Sequence, residues 1–188
     1  MDDTILFVIV GALVVLALAA SSQIKKNDQG LIKDESVDTD GVINILKEFQ
    51  IKQIEGRKNG FTELDIEKQL EENLKSVFEH VTRQHAVGGT NVKKIDLDVG
   101  RGRVGIELKL ASDVIKEGGN DRLMGQVVKY KNRQYTNDNL IIAVAGYGYH
   151  ERETALSDLK DWLLEQKVKY VFLNADKEIN PEQLIKDN

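Results

Sequence analysis

Between Ile95 and Lys109 the chain reads Ile-Asp-Leu-Asp-Val-Gly-Arg-Gly-Arg-Val-Gly-Ile-Glu-Leu-Lys. Alternation places Ile95, Leu97 and Val99 on one side of a strand and Lys94, Asp96 and Asp98 on the other. Beyond the glycine-rich turn, Val104, Ile106 and Leu108 take one face and Glu107 and Lys109 the opposite one. Paired as a hairpin, the two runs present an aspartate, a glutamate and a lysine side by side. Two carboxylates can hold a divalent cation, and a lysine beside them can steady an anionic substrate or a polarised water. Those are the minimum parts for cutting a phosphodiester. A two-residue turn at Arg101-Gly102 sets Asp96 opposite Glu107 and Asp98 opposite Gly105, which favours Asp96 over Asp98.

The rest of the composition narrows the chemistry. The chain has 188 residues, enough for one domain with a proper core. It has no cysteine, which excludes a disulfide framework and a thiolate zinc site. His80, His85 and His150 are too scattered to suggest a histidine-based metal centre. Any metal is therefore expected on oxygen ligands, as Mg²⁺, Mn²⁺ or Ca²⁺ would be. There is no P-loop, no Gly-x-Ser-x-Gly elbow and no dinucleotide fingerprint with its acidic residue. The net charge of −5 speaks against a nucleic-acid partner, but the charge is uneven. Residues 86–135 carry ten Lys/Arg against six Asp/Glu, locally +4. Local potential governs the meeting with a phosphate backbone.

The elements that must position the hairpin follow from hydrophobic spacing. Val42, Ile43, Ile45, Leu46, Phe49 and Ile54 make a weak helical stripe over 42–54. Thr62, with Asp65 at the third position after it, can cap a helix. Ile66, Leu70, Leu74, Val77, Phe78 and Val81 extend that helix to about 20 residues. Gly118-Gly119-Asn120 opens a third helix running to about Tyr135. Leu140–Ala145 is apolar throughout, as a strand covered on both faces requires. His150–Gln166 reads as a fourth helix, Val168–Leu173 as a last strand, and Pro181 as the start of a short terminal helix. The order predicts an α/β fold with helices around a mixed sheet.

Thr4–Ala20 is an unbroken run of 17 apolar and small residues. At about 1.5 Å per residue it just spans a hydrocarbon core. A cleavable signal peptide, with Ala17-Leu18-Ala19 as its cleavage site, competes with a retained anchor. Asp2-Asp3 before the run and Lys25-Lys26 after it favour the anchor, and place the C-terminal domain in the cytoplasm. The expected organisation is a single-pass transmembrane anchor over 1–22, a linker over 23–41, a globular domain over 42–180 and a tail over 181–188.

Gln126 and Tyr130 lie four apart and share a helix face with Lys129 and Arg133, a polar and basic stripe beside the acidic hairpin. With these residues the chain resembles the PD-(D/E)XK nuclease superfamily, the restriction-endonuclease-like fold, over about residues 61–146. Ile95-Asp96 stands at the Pro-Asp motif, without its proline. Glu107-Leu108-Lys109 stands at Glu-x-Lys, and Gln126-Val-Val-Lys-Tyr130 resembles the helix motif of the RecB-type branch. The family core has three strands between its helices, of which two are legible; the first is expected near Val87–Thr90, or absent.

The resemblance implies a membrane-anchored, Mg²⁺- or Mn²⁺-dependent nuclease acting on nucleic acid, with DNA the expected substrate. It implies Asp96 and Glu107 as metal ligands, completed by the Leu108 carbonyl, with Asp98 the alternate to Asp96. Glu71 is the implied ligand from the first core helix and Glu67 its alternate. Lys109 would act on the attacking water and the developing charge, and Gln126 would orient the site. Lys129, Tyr130, Arg133, Arg101 and Arg103 are expected to contact nucleic acid. The resemblance also allows a homodimer. The competing expectation is an inactive module of the same fold that tethers DNA or a protein at the membrane.

Overall fold

The computed structural model describes residues 30–54, 60–87, 94–136 and 138–175. The Thr4–Ala20 run, the Val87–Thr90 strand beyond Val87, and the helix expected after Pro181 lie outside them. Among the described residues no helix is long and apolar enough to cross a membrane.

Five strands form one sheet in the order β1 to β5: β1 (Val81–Ala86), β2 (Lys94–Val99), β3 (Val104–Leu110), β4 (Leu140–Gly146) and β5 (Lys169–Asn174). The first three are antiparallel neighbours, whereas β3, β4 and β5 run parallel. Helices α1 (Thr39–Glu48) and α2 (Glu63–Lys75) lie on one side. Val42, Leu46, Ile66, Leu70 and Leu74 are buried there against Leu97, Ile106, Leu108 and Ala143. A short α3 (Ala111–Val114), α4 (Gly119–Lys131) and α5 (Thr154–Glu165) contribute the second core. In it Leu123, Val127, Leu159 and Leu163 are buried with Ile142 and Val144. The expected α/β fold around a mixed sheet is thus observed, and every residue of β4 is buried, as its apolar run requires.

Three sequence expectations change. The helix capped by Thr62 ends at Lys75, not near Val81, although its capping box forms as expected: Asp65 N–H donates to Thr62 Oγ1 (3.3 Å) and Thr62 N–H to Asp65 Oδ2 (2.9 Å). The first core strand is Val81–Ala86, earlier than expected. Its alternate residues are exposed, as on a sheet edge, which hides it in a hydropathy pattern. Residues 31–38 belong to the folded unit and not to a linker. Ile32 pairs with Phe78 through Ile32 N–H to Val77 O (2.8 Å) and Glu79 N–H to Ile32 O (2.9 Å), and Val37 is buried.

Candidate active site at the opening of the hairpin

The hairpin forms in the expected register, with Asp98 opposite Gly105 and Val99 opposite Val104. The ladder stops at Val99, so residues 100–103 make the turn. Gly100, Arg101 and Gly102 all have positive φ (70°, 52° and 91°), which explains the glycine-rich sequence. Gly105 is forced by packing: a Cβ there would meet Ile95 Cδ1 at 2.6 Å and the Tyr135 ring at 2.7 Å.

At the other end of the ladder β2 parts from β3 after Leu97, and the last pair is Leu97 with Ile106. Asp96 fills the parting with its side chain: its Oδ2 accepts from Leu108 N–H at 2.8 Å. On β1 the facing residue Gln84 has φ +53°, and Gln84 Nε2 donates to Asp96 Oδ1 at 3.2 Å. Ile95 consequently joins the second core while Leu97 and Val99 join the first, so the three do not share one face as alternation alone predicts.

This parting gathers the expected catalytic residues. Lys109 Nζ lies 2.8 Å from Glu107 Oε1, 3.7 Å from Asp96 Oδ2 and 3.4 Å from Glu63 Oε1, and it donates to the Leu108 carbonyl at 2.7 Å. The ammonium is surrounded by the oxygens of Asp96, Glu107 and Leu108 that the resemblance assigns to a cation. Glu107 is 2 % exposed, and its Oε2 has no hydrogen bond of regular geometry among the described residues. Burial pushes its carboxyl up to about 7; Asp96 adds to the shift and Lys109 opposes it. Burial alone would lower the Lys109 ammonium, but Glu107, Asp96 and Glu63 outweigh it and hold the group above its ordinary value. Two buried carboxylates and a carbonyl are the oxygen donors a divalent cation takes, with Lys109 Nζ lying among them and the Tyr130 hydroxyl beside Glu107.

The remaining candidates divide. Of the two helix glutamates, the alternate Glu67 is the one at the site: it is buried, and Gln84 Nε2 links its Oε1 (3.1 Å) to Asp96. Burial raises its carboxyl. Arg83 Nε lies 3.2 Å from Glu67 Oε1 and 3.6 Å from Glu71 Oε2, and Glu71, four residues on, also pairs with Lys75 (2.7 Å). One turn of α2 separates the two, too little for the sequence to resolve. Asp98 lies at the closed end of the hairpin, where its Oδ1 accepts from Tyr135 Oη at 2.8 Å and its Oδ2 from Gly102 N–H at 2.9 Å, away from Lys109.

Gln126 and Lys129 line a cleft of about 790 Å³ with Glu63, Lys109 and Asp113. Tyr130 corrects its expectation as a nucleic-acid contact. It is 1 % exposed, donates to the Lys94 carbonyl at 2.9 Å and lies beside Glu107. Arg133 is exposed, its Nη1 3.5 Å from the Val87 carbonyl. Arg101 and Arg103 are exposed in the hairpin turn, at the far end of β3 from Lys109, roughly 20 Å away by strand rise. Arg101 is also engaged by Asp34 (3.2 Å) and His80 (2.6 Å). They do not share the cleft with Gln126.

Two features escaped the sequence. Glu63, in the first turn of α2, reaches Lys109 and is raised chiefly by its burial. Its signal was the acidic first turn after Thr62. The second is Gly146-Tyr-Gly-Tyr-His150, which follows a fully buried strand and gathers rings at its end. Among the described residues, three ligand-type side chains have atoms within 4.8 Å of one another only at Asp34, Glu79 and His80, outside this cleft.

Comparison with models of known protein families, with curated proteins and with solved structures gives no match.

Proposed function

We propose that this chain is a metal-dependent nuclease that hydrolyses nucleic-acid phosphodiesters, with DNA as the expected substrate, on a restriction-endonuclease-like core. The observation that carries the reading is the Lys109 ammonium: it is ringed by Glu107, Asp96 and the Leu108 carbonyl on the wall of a cleft that also holds Gln126 and Lys129. The element order supports it too. The family core has three strands between its helices, and here β1, β2 and β3 lie between α2 and the helices that follow.

Asp96, Glu107 and the Leu108 carbonyl would hold Mg²⁺ or Mn²⁺, with Glu67 as the helix glutamate behind them. When bound, the cation supplies Lewis-acid polarisation of the phosphate and a more acidic water. The protein's own groups do the rest. Gln84 links Glu67 to Asp96 and fixes the aspartate's direction. Lys109 is a cation held in place before reaction, so it stabilises charge developing at phosphorus with little reorganisation. Gln126 orients the substrate in the cleft, and Lys129 meets a flanking phosphate. Attachment to the membrane through Thr4–Ala20, with the domain in the cytoplasm, belongs to the same proposal; N-terminal sequencing of the mature protein tests it.

The nuclease reading is tested by incubating the protein with plasmid and with a single-stranded oligonucleotide, in Mn²⁺ and in EDTA. Cleavage in Mn²⁺ alone is expected. Gel retardation without cleavage would instead support a tethering module.

A further inference from the structure

The end of β4 carries an aromatic cluster that the hydrolytic centre does not use. Tyr147 and Tyr149 are stacked at 6° with centroids 5.9 Å apart, Phe61 lies 5.8 Å from Tyr147, and His150 lies 4.1 Å from Tyr149. Tyr149 is 63 % exposed. A short helical turn over Gly148–Arg152 presents it, and Tyr147 N–H donates to His150 Nδ1 at 3.1 Å. Gly146 makes this approach possible, since a Cβ there would meet Ala111 Cβ at 2.7 Å and His150 Nδ1 at 2.9 Å.

The cluster adjoins the cleft. β3 and β4 pair in parallel with Lys109 beside Val144 and Leu110 beside Ala145. Tyr147 therefore starts roughly 10 Å beyond the level of Lys109. Phe61, Leu110 and Ser112 line the hollow under Tyr149, while Glu63, Lys109 and Asp113 line the cleft. Their linings are neighbours in the chain at Phe61 and Glu63, at Lys109 and Leu110, and at Ser112 and Asp113.

We propose that Tyr149, backed by Tyr147, is a stacking platform for an unpaired nucleobase of the strand whose phosphate reaches Lys109. The inference rests on the nuclease reading. A nucleobase in a duplex has both faces covered by its neighbours, so an exposed ring beside a phosphate-binding cleft selects bases that are single-stranded or extruded. The positive side chains that line the cleft, Lys109, Lys116, Arg122 and Lys129, hold the backbone of the same strand. The substrate class this implies is nucleic acid with unpaired nucleotides at the cut.

The test uses oligonucleotides carrying 2-aminopurine, whose fluorescence is quenched on stacking. Binding is read in the Glu107→Gln protein, with and without Tyr149→Ala, and cleavage in the parent protein with Mn²⁺. Quenching by Glu107→Gln that falls about tenfold in apparent affinity when Tyr149→Ala is added supports the platform. Tyr149→Leu, which keeps bulk without a π-face, loses the quenching as well. Quenching that is unchanged by both substitutions, or absent on single strands, overturns it. Quenching lost in the Tyr149 variants while the parent protein cuts nothing leaves the platform standing and removes the nuclease reading. Cleavage by the parent protein with Tyr149-independent quenching does the reverse.

Discussion

Asp96 and Asp98 lie two residues apart on one strand, both buried, and their surroundings differ. Asp98, at the closed end of the hairpin, has both oxygens engaged: the Tyr135 hydroxyl donates to one and the Gly102 amide to the other. It holds the turn. Asp96, at the open end, faces an amide, an amide side chain and an ammonium where two strands have parted. Among the described residues its neighbour Glu107 keeps an oxygen without a hydrogen bond of regular geometry, with the Tyr130 hydroxyl nearby. Residue type and burial are the same at the two ends, and the protein hydrogen-bonds both oxygens of each aspartate; what sets the open end apart is the second buried carboxylate, Glu107, and the Lys109 ammonium beside it. The cluster of Asp34, Glu79 and His80 likewise has a cation beside it, with Arg101 3.2 Å from Asp34.

The contrast is easiest to break by exchanging one oxygen for an amide. Asp96→Asn is expected to lower nuclease activity by at least about 10²-fold, as loss of a preorganised charge does, whereas Asp98→Asn leaves chemistry in the folded protein intact. Equal losses of activity per folded molecule in both variants would erase the distinction.

The next effect is on stability in EDTA. The Glu107 carboxyl stands at about 7 in the folded protein against 4.5. A raised folded pKa binds the proton more tightly in the native state. The associated stability is complete below pH 4.5 and is lost as pH rises through about 7. The loss amounts to about 3 kcal/mol, and denaturant unfolding across this window measures it. Glu107→Gln flattens the profile without abolishing it, because Glu63 and Glu67 are raised in the same direction.

Divalent cations sharpen the comparison further. Mn²⁺ at a hundred times its dissociation constant is expected to stabilise the protein by about 2.7 kcal/mol, seen as a higher Tm. Asp96→Asn removes this gain and Asp98→Asn retains it. At the closed end the cost is structural: Asp98→Asn keeps a carbonyl oxygen for the Gly102 N–H but loses the carboxylate charge that strengthens the bonds from Gly102 and Tyr135, and destabilises by about 2 kcal/mol, measured by urea unfolding. The smallest effect belongs to the cleft wall. Lys129→Ala should lower the slope of log affinity for DNA against log salt by about 1, and Arg101→Ala should not change it.

Much of this was readable from residue order. The hairpin register, the capping box at Thr62 and the buried strand Leu140–Ala145 rest on local patterns that the tertiary structure reinforces. Glu107 and Lys109 likewise follow from alternation on β3. The rest depends on how elements meet. Glu67 and Glu71 share a helix face and both lie near Arg83, and only the position of Gln84 on β1 separates them. In β1 only Val81 is buried, the residues after it alternating exposed and half-buried, so in the sequence Val81 continues the preceding helical stripe. Tyr130 shares a helix with exposed Lys129, but its side chain passes inward to the Lys94 carbonyl. Ile95 changes sides because β2 leaves β3, an event no period-two pattern contains.

The central claim is that the Lys109 ammonium, held by Glu107, Asp96 and Glu63, serves hydrolysis and is not merely a buried ion pair. The most direct measurement is the rate of DNA cleavage by Lys109→Ala against the parent protein in Mn²⁺, with circular dichroism confirming the fold of both. A fall of about 10²-fold or more with an unchanged spectrum is the expected result. Equal cleavage by the two proteins, or none by the parent, would contradict it.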